Sequence, residues 1–500
     1  MSQSFLRLKS GSDVRGVAVD QENASATLTD DIGKVLGVSF ANWLGKKLGK
    51  TTDALVISVG MDSRISGEHL KAAMLSGIAA AGATALDCGL CTTPAMFMST
   101  LLLHCDGAVM VTASHLPWQR NGYKFFTPEG GLDGGDIDAL LCAAADASMP
   151  KDVAQFPKRD LLGAYVSHLK RMVTDALGEE APLRNLHVVV DAGNGSGGFY
   201  AQMLEDLGAD VMGSQFLEPD GLFPNHVPNP EDAQAMLSLS NAVLQSHADL
   251  GVIFDADCDR AAMVDADGRA INRNRLIALV GAMLLEETPG ITIVTDSVVS
   301  AGLDAFLTSH GGALHRFKRG YRNVIDEAIR LNREGVDCPL AMETSGHAAL
   351  RENHFLDDGM YLVTRLIIQA QKLRLQGKTL DALIADLAEP LEAIEIRLPI
   401  LAEDFRATGE KILASMLKEI TSAPSLALDK GNREGVRVQF DSPDNWVMMR
   451  LSVHDPLLVI NAESARAGGV LQMLTTLHGM LSTQAELDLT ALEARMNPSV

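Results

Sequence analysis

Gly107-Ala-Val-Met-Val111 runs directly into Thr112-Ala-Ser114-His115-Leu116-Pro117-Trp-Gln-Arg-Asn121-Gly122-Tyr-Lys124. The first five residues form an apolar run of strand length, suited to burial on both faces of a sheet. The polar residues after it place Ser114 where that strand opens into a loop. Open α/β sheets present reactive groups there, beyond the carboxyl ends of their strands. A hydroxyl so placed can carry a covalent group such as phosphate, with His115 and Lys124 near it in sequence to meet the charge. Read alone, the same residues also describe an ordinary strand-to-turn junction.

Outward from this segment, apolar strand-like runs alternate with helical patterns. Residues 54–59 read as a strand and 68–81 as an amphipathic helix. The alternation returns at 186–190 (strand), 198–207 and 235–246 (helices) and 250–254 (strand), then at 291–295, 300–309 and the run ending at Arg316. Such alternation predicts mixed or parallel sheets covered by helices. Three similar blocks predict a tandem of related α/β domains, without strong sequence identity between them. The last hundred residues differ. Strands are expected at 435–440, 446–451 and 457–462 and a helix at 469–481, a small α+β domain with an antiparallel sheet. A helix that frays before Pro498 is expected after Thr483. The expected divisions are 1–158, 159–272, 273–392 and 393–500.

A chain of 500 residues is too long for one core. Aromatic residues are only 5%, so Ala, Leu, Val and Met must fill much of the interior. A net charge of −22 excludes a general nucleic-acid binder, and an anionic ligand would need a local basic pocket. The six Cys are scattered, which implies no disulfide framework and a reducing, cytoplasmic setting. Cys88-Gly-Leu-Cys91 lacks a second pair and reads as a loop with two incidental thiols. The N-terminal residues lack the apolar segment of a signal peptide, and no apolar run reaches the ~18 residues of a membrane span.

Asp255-Ala-Asp257-Cys-Asp259-Arg260 follows the strand at 250–254. Three carboxylates at this spacing cannot comfortably ionise together without a cation. An all-oxygen set favours a hard divalent ion, magnesium first. An EF-hand is excluded, because Arg260 stands where the loop needs Gly and Ala266 where it needs Glu. Glu343-Thr344-Ser345-Gly-His347 offers acceptors and donors suited to vicinal sugar hydroxyls. His315-Arg316-Phe-Lys318-Arg319-Gly-Tyr-Arg322 is a basic run that could grip a phosphate. Arg450-Leu-Ser452, expected between two strands, is a second candidate clamp. The Asp-x-Arg pairs Asp13/Arg15 and Asp62/Arg64 read as salt-bridged turns. Asp191 to Gly198 reads as a tight strand-to-helix turn; it lacks the Lys of a P-loop.

In their order, these motifs resemble the α-D-phosphohexomutase family, over nearly the whole chain. Thr112-Ala-Ser114-His115 with Asn121-Gly122-x-Lys124 resembles the family's phosphoserine loop. Asp255-x-Asp257-x-Asp259-Arg260 resembles its metal loop, Glu343-x-Ser345-Gly-His347 its sugar-specificity loop, and Arg450-x-Ser452 the start of its phosphate-binding loop. Residues 223–230 and 191–195 resemble further family segments. The resemblance implies four domains around a deep cleft and Ser114 phosphorylated in the resting enzyme. It implies Mg2+ held by the Ser114 phosphate with Asp255, Asp257 and Asp259. It also implies interconversion of hexose 1- and 6-phosphates (glucose and/or mannose) through hexose 1,6-bisphosphate. His115, Lys124 and Arg15 would then handle protons or the attacking hydroxyl. Glu343, Ser345 and His347 would hold the sugar, with Arg260, Arg319, Arg322, Arg450 and Ser452 on phosphate. The partner would be a small sugar phosphate, and the chain a monomer or homodimer.

The chain departs from the family at Leu116, where Asn is usual, at Val453 and His454 in the clamp, at Val459, where relatives carry Arg, and at Thr344. The basic run 316–322 is a candidate to replace the lost clamp donors. Two other readings fit parts of the sequence. One is a haloacid-dehalogenase-type phosphatase with Asp255 as nucleophile, Asp257 as acid and Asp357-Asp358 on metal. The other is a degenerate homologue that binds sugar phosphates as a sensor or scaffold. A serine hydrolase lacks its G-x-S-x-G element.

Overall fold

The apolar runs read as buried strands form the centres of four sheets. The computed structural model describes residues 5–22, 24–452 and 455–497, so Val453 and His454 lie outside the described residues. The chain forms two compact units: the residues up to Leu276 with Ser345–Ala382, and Ile277–Thr344 with the residues from Leu383 on.

The first unit begins with the hairpin β1 (Lys9–Ser10) and β2 (Asp13–Val17) and helix α1 (Asp30–Leu48). Strand β3 (Val56–Met61), α2 (Gly67–Ala80), β4 (Thr84–Leu90) and α3 (Thr93–Leu102) follow. Then come β5 (Gly107–Val111), β6 (Arg120–Thr127), β7 (Gly130–Gly131) and α4 (Gly134–Asp146). The sheet order is β1-β2-β6-β5-β3-β4, with β7 beside β6. β3 is parallel to β4 and β5, whereas β5, β6, β2 and β1 are antiparallel in turn. Every residue of β5 is buried, as its unbroken apolar run requires.

The next sheet is built from α5 (Leu161–Leu177), β8 (Val188–Asp191), α6 (Phe199–Asp206), α7 (Ala233–Ser246), β9 (Leu250–Phe254), β10 (Ala261–Asp265) and β11 (Ala270–Ile271). β8 and β9 are parallel, and β10 and β11 continue antiparallel. The turn 191–198 connects β8 to α6 through one short 3-10 turn, as expected.

Helix α8 (Arg273–Glu287) leads into the second unit. There β12 (Thr292–Thr295) lies parallel to β13 (Ala313–Arg316) on one side and β14 (Leu340–Met342) on the other. Helices α9 (Ala301–Ser309) and α10 (Tyr321–Arg333) make the crossovers. The chain then supplies the first unit with the hairpin β15 (Ala348–Leu350) and β16 (Leu356–Asp357) and with α11 (Gly359–Arg374). Back in the second unit come β17 (Glu392–Pro399), α12 (Phe405–Ser422), β18 (Ala427–Leu428), β19 (Val436–Gln439), β20 (Trp446–Leu451) and β21 (Leu457–Ser464). They form an antiparallel sheet in the order β17-β21-β20-β19-β18, flanked by α13 (Gly469–Leu481) and α14 (Thr490–Met496).

Three sequence expectations shift. The first parallel strand starts at Val56 rather than at residue 54, because Thr52–Ala54 is a 3-10 turn. Cys88 lies in β4 rather than in a loop, and the Thr92 side chain after Cys91 caps α3, with Pro94 in its first turn. Arg450 and Leu451 are the last residues of β20, so only Ser452 of that motif stands past the strand.

Helices α1 and α2 touch where neither has a side chain. A Cβ on Gly77 would lie 2.0 Å from the Lys34 carbonyl oxygen, and one on Gly37 2.5 Å from that of Met74. Backbone at such range cannot yield without parting the helices. Gly77→Ala is expected to destabilise by about 1–3 kcal/mol, read as a lowered urea midpoint.

Candidate active site

Ser114 ends the run from β5 in a left-handed conformation, φ +54°. A non-glycine residue keeps such a conformation only when its surroundings over-determine it. Arg64 does this from the loop after β3. Its guanidinium donates to the carbonyls of Ser114, Leu116 (2.7 Å), Pro117 (2.9 Å) and Arg120 (3.0 Å), and its Nε to Asp62 Oδ2 at 3.2 Å. All five N–H groups of the fork are thereby directed at acceptors. Asp62 also accepts from the Arg64 backbone (3.0 Å) and from Thr112 Oγ1 (2.7 Å), and Thr112 Oγ1 in turn accepts from the Ser114 N–H at 2.8 Å. Burial pushes the Asp62 carboxyl up to about 6, against the pull of Arg64. The Asp62/Arg64 turn is thus salt-bridged, as read, and it also shapes the Ser114 loop. Arg15 in β2 pairs with Asp13 (2.7 Å) and reaches the Ala113 carbonyl at 3.4 Å.

The carboxylate loop begins where β9 ends. Asp255, Asp257 and Asp259 are all buried. Cys258 at φ +66° turns the chain between the second and third of them. The Ser114 hydroxyl donates to Asp255 Oδ2 at 2.8 Å. From β6, the Lys124 ammonium spans Asp257 Oδ2 (2.8 Å) and Asp259 Oδ2. Thr93 Oγ1 donates to the same Asp257 oxygen at 2.5 Å, and the Thr93 N–H to the Asp257 carbonyl at 2.8 Å. Arg260 donates to Asp255 from Nε (3.0 Å) and from its backbone (3.1 Å). Its NH2 reaches Ser114 Oγ (3.0 Å) and His115 Nδ1 (2.5 Å), and its NH1 reaches Asn229 Oδ1 (3.3 Å).

These contacts set the charges. Arg260 and burial hold the His115 imidazole far below its usual range, so the ring is neutral and Nδ1 accepts. Burial and Asp259 push Asp255 up to about 8. Burial also opposes ionisation of Asp259, but Lys124, His347 and Arg260 hold it low. Asp257 Oδ1 and Asp259 Oδ1 are buried without a hydrogen-bond partner. The trio offers three oxygens within 4.8 Å of one another. Buried, all-oxygen and partly unsatisfied, this donor set fits a divalent cation.

His347 belongs to this cluster as well as to the sugar-specificity motif. It bridges Arg260 in antiparallel fashion, its Nδ1 pairs with Asp357, and it lies 3.9 Å from Asp259 Oδ1. Burial opposes its charge, yet Asp357 and Asp259 raise it to about 9. Ser345 is also in the first unit, with its hydroxyl buried and unpaired. Asp358 accepts from Tyr165 Oη (2.7 and 2.8 Å) and Asn353 (3.1 Å) and caps α11, whereas Asp357 lies with Asp259 and His347 in a second cluster whose ligand atoms are within 4.8 Å of one another.

The second unit holds the other candidates. Glu343 accepts from the Gly320 N–H at 2.6 Å, and Thr344 Oγ1 donates to Asp296 Oδ2 at 2.7 Å. Arg319 Nε lies 3.5 Å from Asp296, and its N–H donates to Glu434 at 3.1 Å. Arg316 and Arg322 are turned to other partners: Arg316 pairs with Asp429 (2.8 Å) and Asp304 (3.3 Å), and Arg322 with Asp326 (2.9 Å). Arg450 is 5% exposed, makes one long bond to the Leu451 carbonyl (3.5 Å), and leaves its Nε unpartnered. Burial and Arg319 lower its pKa. Val459 stands opposite Arg450 in the sheet register. Ser452 Oγ accepts from the Asp455 N–H at 3.2 Å. Sequence reasoning quoted Thr112 and Asn229 within family-like segments without giving them a role, and missed Thr93, Asp296 and Glu434. Thr92-Thr93-Pro94 carried a legible helix-start signal; Asp296 and Glu434 had none beyond their type.

Three family models match the chain, described as phosphoglucomutase/phosphomannomutase alpha/beta/alpha domains I (residues 7–150), II (163–268) and III (272–391). The chain is similar to the phosphomannomutase/phosphoglucomutase of Pseudomonas putida, 30% identical over 438 residues that cover 87% of this chain and 89% of the relative. It is 29% identical to the phosphoglucomutase of Neisseria gonorrhoeae, covering 90% and 92%. In fold it resembles a phosphoglucomutase/phosphomannomutase family protein from Burkholderia thailandensis, with TM-score 0.79, 24% identity and coverage of 97% and 98%. It also resembles the open form of a Paramecium phosphoglucomutase, parafusin, with TM-score 0.72, 15% identity and coverage of 95% and 94%.

Arg64→Met would strand the buried Asp62 and four loop carbonyls together. A loss of about 3–5 kcal/mol is expected. It is read by urea unfolding, with faster amide exchange at 113–121 than elsewhere in the first sheet.

Proposed function

The chain belongs to the phosphoglucomutase/phosphomannomutase family, and from that membership we propose that it interconverts the 1- and 6-phosphates of glucose and/or mannose as an intramolecular phosphotransferase. One observation carries the site assignment: Ser114 Oγ lies 2.8 Å from a buried carboxylate trio that has two unsatisfied oxygens.

Ser114 is the phosphoryl carrier. A hydroxyl oxygen of the sugar monophosphate attacks the phosphorus on Ser114, the Ser114 Oγ–P bond breaks, and hexose 1,6-bisphosphate results. Transfer of its other phosphoryl group back to Ser114 leaves the isomeric monophosphate. Asp255, Asp257 and Asp259, with the Ser114 phosphate, would hold Mg2+, which supplies positive charge against the moving phosphoryl group. Arg260 touches Ser114, Asp255 and His115 at once, so it steadies the nucleophile and the loop together. Lys124, Arg15 and His115 are assigned to the attacking hydroxyl and its proton. Lys124 is already on the trio. The Nδ1 of His115 is taken by Arg260, which leaves Nε2 as its free edge.

Glu343, Ser345 and His347 are assigned to the sugar hydroxyls, and Arg450, Ser452 and Arg319 to the stationary phosphate. A buried guanidinium with an unpartnered Nε supports Arg450 in this role, since a buried cation calls for an anion. Arg319 is preferred to Arg322, which Asp326 holds. Six free cysteines support a reducing cytoplasmic location, and no helix among the described residues is long and apolar enough to cross a membrane.

Turnover of glucose 1-phosphate and mannose 1-phosphate, with Mg2+ and a bisphosphate primer, tests the reading. Acid-stable phosphate on Ser114 is expected. Ser114→Ala should lower kcat by a factor on the order of 10⁴ or more; a variant that turned over normally would end the assignment. Arg450→Ala should lower kcat/KM about 10–100-fold, the equivalent of one or two charge-assisted hydrogen bonds. Binding of Mg2+ should show its own pH dependence. Asp255 must be ionised to take a cation, and its carboxyl sits up to about 8, so binding below that pH displaces a proton. Affinity should therefore rise from pH 6 to pH 8 and then level off. Calorimetry in buffers of different ionisation enthalpy should read the released proton directly.

A further inference from the structure

We propose that Thr93 is a positioning residue for the cation site: its hydroxyl fixes the Asp257 carboxylate so that the opposite oxygen, Oδ1, is the one presented to the metal. The inference rests on the assignment of the trio as the metal site.

Thr93 opens α3, and the first donors of that helix can be accounted for one by one. The Thr93 N–H donates to the Asp257 carbonyl at 2.8 Å. Pro94 has no N–H. The Ala95 N–H donates to Thr92 Oγ1 at 3.2 Å, and the Met96 N–H to the Thr92 carbonyl at 3.0 Å. The helix start is thereby sealed onto the carboxylate loop, with no orphan donor left for a ligand. The Thr93 side chain adds what a cap alone would not, a 2.5 Å bond from Oγ1 to Asp257 Oδ2.

Asp257 Oδ2 therefore accepts from both Thr93 Oγ1 and Lys124 Nζ (2.8 Å), which fills its two lone pairs. Asp257 Oδ1 has no partner although it is buried. A carboxylate turns about its last bond over a broad, two-fold energy profile. Lys124 alone, at the end of four rotatable bonds, restrains that turn weakly. Thr93 is 3% exposed, so close packing holds its rotamer and its hydroxyl acts as a fixed stop. Asp259 Oδ1 in the same trio is likewise buried without a hydrogen-bond partner. Outer contacts of this kind set ligand orientation, and their loss weakens metal affinity about 10–100-fold.

The alternative is that Thr93 only ties α3 to the loop. That role would show in stability but not in metal affinity. Calorimetric titration of the full-length chain with Mg2+ separates the two. Thr93→Val keeps the shape and the backbone bond while removing the hydroxyl. It should weaken Mg2+ binding about 10–100-fold and raise the Mg2+ concentration for half-maximal turnover in step. At saturating Mg2+, KM for glucose 1-phosphate should stay at the wild-type value. Thr93→Ser should bind Mg2+ within about threefold of wild type. If Thr93→Val does not fold, Thr93→Ala against Thr93→Ser makes the same comparison. Wild-type affinity in the Val or Ala variant overturns the inference and leaves the mutase reading intact, as does a Ser variant as weak as Val. A wild-type chain that binds no Mg2+ overturns the metal site and this inference together.

Discussion

Three buried carboxylates on one five-residue turn are the constraint around which the first unit is arranged. Their nearest oxygens lie within 4.8 Å of one another. Each ionised pair at that range repels by roughly 3–4 kcal/mol at an effective dielectric of about 20. Three such pairs approach the whole stability of an ordinary domain. The chain answers with groups far apart in sequence: Lys124 from β6, Arg260 from the loop itself, and Thr93 from the start of α3. His347 adds a third positive charge but is shared with Asp357, so three cations face four carboxylates and the cluster is short by one. Asp255 absorbs that shortfall through its raised pKa, and a divalent cation would remove it. The same deficit that makes the loop unfavourable as a structural element suits it to a divalent cation.

The Ser114 loop solves a different problem with the same economy. Ser114 must hold a left-handed backbone while its hydroxyl stays at Asp255. A strained residue of this kind costs about 1–3 kcal/mol. Arg64 offsets it by turning a fully desolvated guanidinium toward the loop carbonyls, so the shape of the loop is set by a side chain fifty residues upstream. Arg260 then links the two loops, and a change in either is felt by Ser114, the trio and His115 together.

What was legible in the sequence follows from this. The unbroken apolar runs of β5 and β9 and the polar residues beyond them announced where reactive groups would stand, because burial on both faces of a sheet leaves a local signature. The carboxylate trio was legible because its repulsion is local too. Arg64 was read only as half of a salt-bridged turn, since its four carbonyl partners lie beyond the next two strands. The basic run from Arg316 to Arg322 looked like one phosphate grip. In the fold, Arg316 belongs to Asp429, more than a hundred residues on, and Arg322 to Asp326 one turn along α10. Charge density along a chain does not say where the opposite charges will arrive. Thr93 could have been found, because a capping Thr before Thr-Pro marks a helix start, but what that start would be pressed against was a tertiary fact.

Three buried arginines show how a fold separates structural cations from available ones. The Arg64 fork is directed at Asp62 and four carbonyls. Arg437 stacks on Trp446 at 3.6 Å and donates to the carbonyls of Ser297 and Val299. Both are consumed in holding loops. Arg450 is nearly as buried but has only one long bond, to the Leu451 carbonyl, and the position across the sheet from it, Val459, contributes no polar group. Keeping a guanidinium out of water with an unpartnered Nε is unfavourable for the free protein. An anion that brought the missing acceptors would relieve that cost. The trio and Arg450 are thus the same device with opposite signs. Each is a buried charge left incompletely answered, the trio by cations and Arg450 by acceptors.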